Sequence, residues 1–219
     1  LINITAVPFE RILRLTFEVF EETVGLSKKV VFLELTGKSS NLVITAEDGS
    51  ILDLWRKSGG PQSRDRELAV DVKYELPSTG GRWKPVTITQ ADFIGLATQL
   101  PPEVTPAKFL LKHWYGLSKT MANEITQRSG LNLDQPCSQS TETDLTKLYD
   151  SFCSWADSVN KGRFEPCLLY NNEAKPVDCS ALAIRYPDPG MTAKPIASIN
   201  QAVAEVFGRT ATTDVFFAA

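Results

Sequence analysis

Apolar and polar residues alternate along the first third of the chain. Over residues 11–19 every second side chain is strongly apolar, which is the pattern of a strand with one buried face. A nearly continuous apolar run follows, and then two shorter stretches flank a Glu-Asp-Gly-Ser turn. We therefore predict an antiparallel meander. The predicted strands cover residues 11–19, 30–35, 41–46 and 51–55, and the chain already opens in strand-like sequence at Leu1.

Two segments interrupt this pattern. Residues 58–66 contain no apolar side chain, and residues 77–81 read Pro-Ser-Thr-Gly-Gly. Both compositions are typical of loops, because Gly and Pro supply the backbone angles that turns need. The second segment also predicts a domain boundary, since the spacing of apolar residues changes after it.

Beyond this boundary apolar residues recur three and four positions apart, which indicates helices. The first predicted helix carries Phe93 and Ala97, is capped by Thr89 or Asp92, and stops at Pro101. The most regular helix spans residues 141–162 and begins with a Thr-x-x-Asp pair, the pattern of a capping box.

Two shorter helices lie between them. Thr105 and Pro106 predict the start of one, with Gly116 as its left-handed C-cap. Ser118 predicts the cap of the next, which ends at Gly130. We expect the pair to form a compact helix-hairpin-helix.

The end of the chain predicts a small mixed segment. Residues 164–170 and 177–185 resemble a hairpin around Asn171-Asn172, and an amphipathic helix carries Ile199, Ala202 and Val206. The predicted fold class is therefore α+β. We divide it into an antiparallel β domain at 1–86, a helical module at 87–161, and a hairpin-plus-helix segment at 162–219.

Composition narrows the functional classes. The 219 residues are 42% hydrophobic, which is enough for a real core. A net charge of −3 gives no overall positive field, so any contact with nucleic acid needs a local basic patch. Because no apolar run reaches about 18 residues and no signal peptide is evident, we expect a soluble, cytoplasmic protein without membrane contact. The start at Leu1 rather than Met suggests a fragment.

The four cysteines lie too far apart along the chain to resemble a metal clamp or a redox dithiol. Free thiols in a reducing compartment are the expectation, and a two-disulfide framework is the alternative if the protein is secreted. The residues are Cys137, Cys153, Cys167 and Cys179.

The sequence lacks the residues that most catalytic mechanisms require. The single histidine, His113, shares a helical stripe with Phe109 and Trp114, so we expect it to pack in a core or interface rather than act as a base. Neither the dinucleotide glycine motif nor the P-loop is present. We therefore expect no cofactor and no metal ion.

Two segments have residues suited to phosphate. In the Gly-Gly-Arg-Trp-Lys run, Arg82 and Lys84 flank an aromatic ring, although a solvated turn is the alternative. At the helix hairpin, the turn at Gly116 exposes backbone N–H groups at the start of the next helix. Its candidate contacts are Lys112, Gly116, Ser118 and Lys119, with Arg128 nearby.

Five successive segments, FERILRLTFEV, VVFLELTGKSSNLVITAEDGSILDLWRK, HWYGLSKTMANEI, CLLYNNEAKPVDCSAL and PIASINQAVAEVF, resemble the landmarks of the NFACT-N region of RqcH-type proteins, also called fibronectin-binding protein A-like. That family shows an Asp-Arg pair leading a strand, then Leu-x-Gly-x-x-Ser-Asn, an acidic turn, and Gly-Leu-Ser followed by Ala and Glu-Ile. The order here is the same. The resemblance also implies that the chain is truncated at both ends.

The resemblance implies a sheet domain similar to the N-terminal domain of formamidopyrimidine-DNA glycosylases, followed by a helix-hairpin-helix module. It further implies binding of tRNA and of the large ribosomal subunit obstructed by peptidyl-tRNA, in support of template-free C-terminal alanine tailing. Peptide transfer would be performed by the ribosome, so the resemblance implies no enzymatic activity and no small-molecule substrate for this chain. The family's Asp-Arg pair falls on Glu10 and Arg11, which makes these the implied tRNA-binding residues, with a longer acidic arm.

Three alternatives remain open. An active DNA glycosylase would need a nucleophilic amine and a cysteine zinc finger, and neither is evident. A fibronectin- or fibrinogen-binding adhesin is suggested by the family's older label. A generic α+β interaction module is the third.

Overall fold

The computed structural model describes residues 1–58, 66–85 and 88–214, with side chains as far as residue 208. The chain divides into two compact units, Leu1–Arg82 and Trp83–Ala219. Apart from its two end residues, the predicted loop at 58–66 lies outside the described residues. The turn at 77–81 falls at the division, and residues 162–219 belong to the second compact unit together with the helices.

The first unit is an antiparallel sheet in the order β1-β2-β3-β4-β5. The predicted meander is confirmed. β3 begins five residues before its predicted start, because Lys28 and Lys29 continue the ladder opposite Glu18 and Phe17 although their polarity hides the strand in the sequence. Within the described residues the strands are β1 (Asn3–Ala6), β2 (Ile12–Glu21), β3 (Gly25–Glu34), β4 (Asn41–Ala46) and β5 (Ile51–Leu54).

One face of this sheet carries the core of the unit. Val43, Ile51 and Leu68 are almost fully buried, and Phe32 and Tyr74 stack beside them with ring centroids 4.0 Å apart. Residues 68–74 lie along β5 through backbone bonds such as that from the Ile51 amide to the Val72 carbonyl. Residues 68–74 therefore cover the outer edge of the sheet, along β5.

The second unit contains five helices among its described residues. The four predicted starts, at Thr89 (rather than Asp92), Thr105, Ser118 and Thr141, are confirmed. The Thr89 and Ser118 side chains accept hydrogen bonds from the first turn of their helices, and Thr141 forms a reciprocal capping box with Asp144. The helices are α1 (Gln90–Thr98), α2 (Pro106–His113), α3 (Lys119–Arg128), α4 (Glu142–Asn160) and α5 (Ile199–Asp214), with short 3₁₀ turns at Gly37–Ser39 in the first unit and Cys137–Gln139 in the second.

A cluster of buried aromatic rings joins α1, α2 and α4. Phe93 contacts Phe109 at 5.0 Å and Trp114 at 5.2 Å between ring centroids, and Trp114 contacts Phe152 at 4.8 Å. All four side chains are fully buried. Such rings bury large apolar areas and favour edge and offset contacts, so they define the core of the unit.

A three-stranded antiparallel sheet in the order β7-β6-β8 completes this unit, from β6 (Cys167–Tyr170), β7 (Pro176–Ser180) and β8 (Thr192–Pro195). The predicted hairpin is confirmed, but the prediction that its second strand reaches residue 185 is wrong. The chain leaves the sheet after Ser180, and the amides of Arg185 and Tyr186 bond the buried carboxylate of Glu124 instead.

β8 was not predicted. Its sequence, Thr-Ala-Lys-Pro, has no apolar alternation, and a proline is tolerated there because β8 is an edge strand. We predicted that α2 and α3 form a helix-hairpin-helix module and that the five-stranded sheet resembles a glycosylase domain. Both statements stay predictions.

Candidate nucleic-acid interface

Glu10 and Arg11 lie in the turn between β1 and β2. The Glu10 amide donates to the Val7 carbonyl at 3.0 Å, and Phe9 takes a positive φ of 63° to close the turn. The Arg11 carbonyl accepts from the Leu35 amide at 2.8 Å, which fixes the turn beside the end of β3. The backbone at this acid–base pair is thus rigidly placed, while the Arg11 side chain is exposed.

The Glu10 carboxylate is half-buried and lies in the field of two guanidiniums. Burial raises its pKa above the ordinary value, while Arg82 and Arg11 partly oppose that effect. Two predicted contact residues, Arg11 and Arg82, therefore lie near Glu10 within the first unit. Arg82 itself is held by its Nε, which donates to the Thr79 carbonyl at 3.0 Å.

The turn belongs to a larger basic surface at one end of the sheet, which we call the basic end: the segments 7–11, 35–40 and 55–58. Antiparallel topology brings these segments together, because each of them connects to strand ends that lie at the same end of the sheet. Its exposed cations are Arg11, Lys38, Arg56 and Lys57.

Buried Asn41 holds two of these segments together. Its Nδ2 donates to the Arg56 carbonyl at 2.8 Å, and its Oδ1 accepts from the Arg56 amide at 2.9 Å. The Arg56 guanidinium in turn donates to the Lys38 carbonyl at 2.9 Å. The asparagine of the Leu-x-Gly-x-x-Ser-Asn segment is therefore a structural residue that fixes the surface.

None of the exposed cations of the basic end has a carboxylate within 4.0 Å among the described residues. A fully buried carboxylate nearby, Glu34, accepts hydrogen bonds from the Arg66 guanidinium at 2.5 Å and from the Tyr74 hydroxyl at 2.7 Å. Sequence reasoning did not single out Lys38, Arg56 and Lys57. The signal that could have found them is the Trp-Arg-Lys run at 55–57.

The opposite end of the sheet, which we call the hairpin end, contains the turns 22–24 and 47–50. Here the lysines are paired: Lys28 with Glu47 at 3.1 Å and Lys29 with Glu21 at 2.8 Å. Asp48 accepts from Lys73 and Ser50, which lower its pKa to about 2. The lysines and Asp48 at this end therefore have oppositely charged partners close by.

Five of the predicted contacts lie in the second unit, around the α2–α3 turn. Gly116 has the predicted positive φ, 83°. The prediction that it forms the C-cap of α2 is wrong, because α2 already ends at His113 and Trp114 is extended. Lys112 and Lys119 are exposed on either side, and the Ser118 hydroxyl accepts from the Met121 amide at 3.1 Å.

Lys84 is placed near this turn by its neighbour. The Trp83 amide donates to the His113 carbonyl at 2.7 Å, and the Tyr115 amide donates to the Trp83 carbonyl at 3.2 Å. The Gly-Gly-Arg-Trp-Lys run is thus divided, with Arg82 in the first unit and Lys84 in the second.

Arg128 has a structural role that its sequence position did not reveal. Its Nε donates to Glu124 at 2.5 Å, and it also donates to the Ala183 carbonyl at 2.6 Å. Glu124 is fully buried and accepts from two further backbone amides. Arg128 therefore neutralises a buried carboxylate that ties α3 to the chain after β7.

His113 packs as predicted. Its ring lies 5.2 Å from Phe109 and 5.5 Å from Trp83 between centroids, and burial together with Lys112 lowers its pKa. The described residues hold no group of three His, Cys, Asp or Glu side chains arranged for a metal ion. All four cysteines are free thiols, and burial raises the pKa of Cys137 to about 11.

No helix in the described part of the chain has the length and apolar character needed to cross a bilayer.

Comparison with known proteins identifies the family. The family model described as NFACT N-terminal and middle domains matches residues 1–218. The fibrinogen binding protein from Staphylococcus aureus is 20% identical, with a TM-score of 0.68 over 99% of this chain and 70% of that one. The N-terminal part of the fibronectin/fibrinogen-binding protein from Streptococcus suis is 16% identical, with a TM-score of 0.64 over 94% and 67%.

At these identities the structural likeness concerns the fold alone, and no curated protein sequence matches the chain. The family match, however, extends over nearly every residue. The chain therefore belongs to the family of NFACT N-terminal and middle domains.

Proposed function

We propose that this chain is the RNA-binding part of a ribosome-associated quality-control factor, which engages tRNA and the obstructed large ribosomal subunit to support C-terminal alanine tailing. The observation that carries the proposal is the placement of Glu10 and Arg11. They lie in a rigid turn at the basic end of a sheet, in a chain that matches the NFACT family over residues 1–218.

The chemistry of the turn suits RNA. An exposed guanidinium donates in a fixed fork that fits a phosphate or a base edge. A carboxylate beside it can accept from a ribose 2′-hydroxyl, the group that distinguishes RNA from DNA. The half-buried position of Glu10 limits the freedom of its longer arm.

The charge distribution supports local binding despite the net charge of −3. Sequence-independent RNA affinity comes from cations that neutralise phosphates and release counterions. The cations of the basic end are available for this, whereas those of the hairpin end already contact carboxylates. Lys112 and Lys119 beside the α2–α3 turn offer a second set of phosphate contacts in the other unit.

In this proposal the protein is not an enzyme and works in the cytoplasm. It supplies a binding surface for tRNA and the large subunit, and the ribosome carries out peptide transfer. No cofactor, membrane or small-molecule substrate takes part.

The test is recovery of RNA with the tagged full-length protein from cells at near-physiological salt, followed by sequencing. We expect large-subunit rRNA and an enriched tRNA. Both should be absent with a Glu10→Ala/Arg11→Ala variant, whose thermal unfolding should stay unchanged because Arg11 is exposed. The matched control is Lys28→Ala/Glu47→Ala, which removes an exposed acid–base pair at the hairpin end and should retain the RNA.

RNA at background level with the wild-type protein would contradict the proposal. A second function, adhesion, is favoured only by the two structural neighbours, which are named as a fibrinogen binding protein and a fibronectin/fibrinogen-binding protein. Saturable binding to immobilised fibrinogen or fibronectin, together with RNA at background level, would favour that function instead.

A further inference from the structure

Trp55 is a large aromatic side chain that the core does not use. It follows β5 directly and is 70% exposed, although its backbone amide is fixed by the Leu42 carbonyl at 2.9 Å. The Arg56 guanidinium lies over its ring, 5.0 Å from the centroid. An exposed tryptophan paired with a cation is a surface on which another flat ring can stack.

The tryptophan–arginine pair is held in place before any ligand arrives. Buried Asn41 bonds both backbone groups of Arg56, and the Arg56 side chain bonds the Lys38 carbonyl. Because the backbone is fixed on both sides of the pair, little ordering remains to oppose binding. This rigidity separates Trp55 from an apolar side chain that is merely exposed.

A concave polar surface adjoins the pair. It encloses about 410 Å³ and includes hydroxyl groups and two exposed cations, Arg56 and Lys57. Its carboxylate, Glu34, is 1% exposed and is neutralised by Arg66. The hydroxyl-bearing residues that line it are Thr36, Ser39, Ser40 and Ser58.

The ligand that fits this combination has a flat ring next to an anionic, hydrogen-bonding backbone. Single-stranded nucleic acid has that chemistry, since bases stack on aromatic rings while cations follow the phosphates. Duplex RNA presents no free base face, so an unpaired nucleotide is required.

We propose that Trp55, with Arg56, Lys57 and Lys38, forms a stacking site for an unpaired base of bound RNA, and that the adjoining concave surface takes the neighbouring phosphate. This inference rests on the proposed RNA-binding function, and it specifies that an unpaired nucleotide is the part of the RNA that binds here. The site is sequence-tolerant, because every base has a face that can stack.

Phe20 provides a matched control within the same unit. It is 71% exposed, close to the value for Trp55, but lies at the hairpin end opposite Leu26. Its chain neighbours include Glu21 and Glu22 rather than cations. An exposed ring alone therefore predicts nothing at Phe20, whereas an exposed ring with cations predicts binding at Trp55.

The experiment measures anisotropy of a fluorescein-labelled oligouridylate of about ten nucleotides with the full chain at about 50 mM salt. We expect Trp55→Ala to weaken the affinity about 5- to 150-fold. Trp55→Phe should recover most of the affinity, and Phe20→Ala should bind like the wild type. Thermal unfolding of each variant verifies its fold.

Each result decides between the two proposals. If Trp55→Ala and the wild type bind oligouridylate with equal affinity, the stacking site is overturned. If the protein nevertheless recovers tRNA from cells, the proposed function still stands. Oligouridylate binding that depends on Trp55, without recovery of tRNA or rRNA, supports the stacking site and contradicts the quality-control function. No oligouridylate binding by the wild type overturns the stacking site.

Discussion

The two ends of the five-stranded sheet use charge in opposite ways. At the hairpin end the lysines contact carboxylates, and hydrogen bonds from Lys73 and Ser50 lower the Asp48 pKa to about 2. At the basic end the exposed cations have no carboxylate within 4.0 Å among the described residues, and the pKa of Glu10 is raised.

This contrast shows where a weakly acidic protein can keep an anion-binding surface. Exposed ion pairs add little to stability, about 0–1 kcal/mol each, so leaving cations unpaired has a small thermodynamic cost. The exposed cations of the basic end outnumber its one half-buried carboxylate, Glu10, so this end keeps a local positive field. Substitutions at the two ends test this contrast, and their expected effects range from several kcal/mol of stability to a shift in a titration midpoint.

The largest effect is expected where the basic end meets the core. Glu34→Gln removes the charge that neutralises Arg66, whose side chain is only 10% exposed. Removing the negative charge opposite this largely buried guanidinium should lower the free energy of unfolding by about 3–5 kcal/mol. Denaturant unfolding measures this.

The control for this prediction is Glu47→Ala at the hairpin end, which breaks an exposed pair and should change the free energy by less than about 0.5 kcal/mol. Similar destabilisation of the two variants would show that the two ends do not differ in the way described.

A smaller effect is expected on RNA affinity. Arg56→Glu/Lys57→Glu places two negative charges at the basic end and should weaken binding of RNA about tenfold or more at low salt. The slope of log affinity against log salt should also become shallower, by about 0.7 for each phosphate of a single strand that the variant no longer neutralises.

Lys28→Glu/Lys29→Glu makes the same formal charge change at the hairpin end and should leave affinity nearly unchanged. If both double variants bind RNA equally weakly, net charge rather than the basic end determines binding. Filter binding at several salt concentrations distinguishes these results.

The smallest expected effect is on the titration midpoints of two carboxyl groups, one at each end of the sheet. Asp48 should titrate near pH 2, so its contribution to stability is present above the unfolded-state pKa and is lost as the pH falls towards 2. Burial raises the pKa of Glu10, so its contribution to stability is present below the unfolded-state pKa and is lost as the pH rises through the raised pKa.

Carbon-detected NMR of the side-chain carboxyls measures both midpoints. Arg82→Ala should raise the Glu10 midpoint further, because Arg82 opposes the effect of burial. Equal midpoints for Glu10 and Asp48 would remove the electrostatic contrast between the two ends.

Much of the fold could be predicted from local pattern. Caps such as Thr141 and Ser118 act within one helical turn, so their signal lies within a few residues of sequence. Strand β4 was predicted to the residue because its apolar run at 42–44 is followed closely by the Glu-Asp-Gly-Ser turn. β8 was missed, because its pairing with β6 depends on residues far away in the chain.

The candidate site was only partly predictable for the same reason. Glu10 and Arg11 are neighbours in sequence, so a family pattern was enough to find them. Lys38, Arg56 and Lys57 become one surface only through strand order and through the bonds of Asn41. Likewise, nothing in the sequence near Arg128 reveals that it neutralises a glutamate in the core.

The bonds of Glu124 also bear on which positions tolerate substitution. Two of its donors are the backbone amides of Arg185 and Tyr186, and every residue except proline supplies such an amide. Side chains at 185 and 186 are thus interchangeable as far as this bond network is concerned, whereas Glu124 has no substitute of equal charge and reach. Glu124 is accordingly an architectural requirement of this unit, whereas its bonds place no demand on the side chains of the loop opposite it.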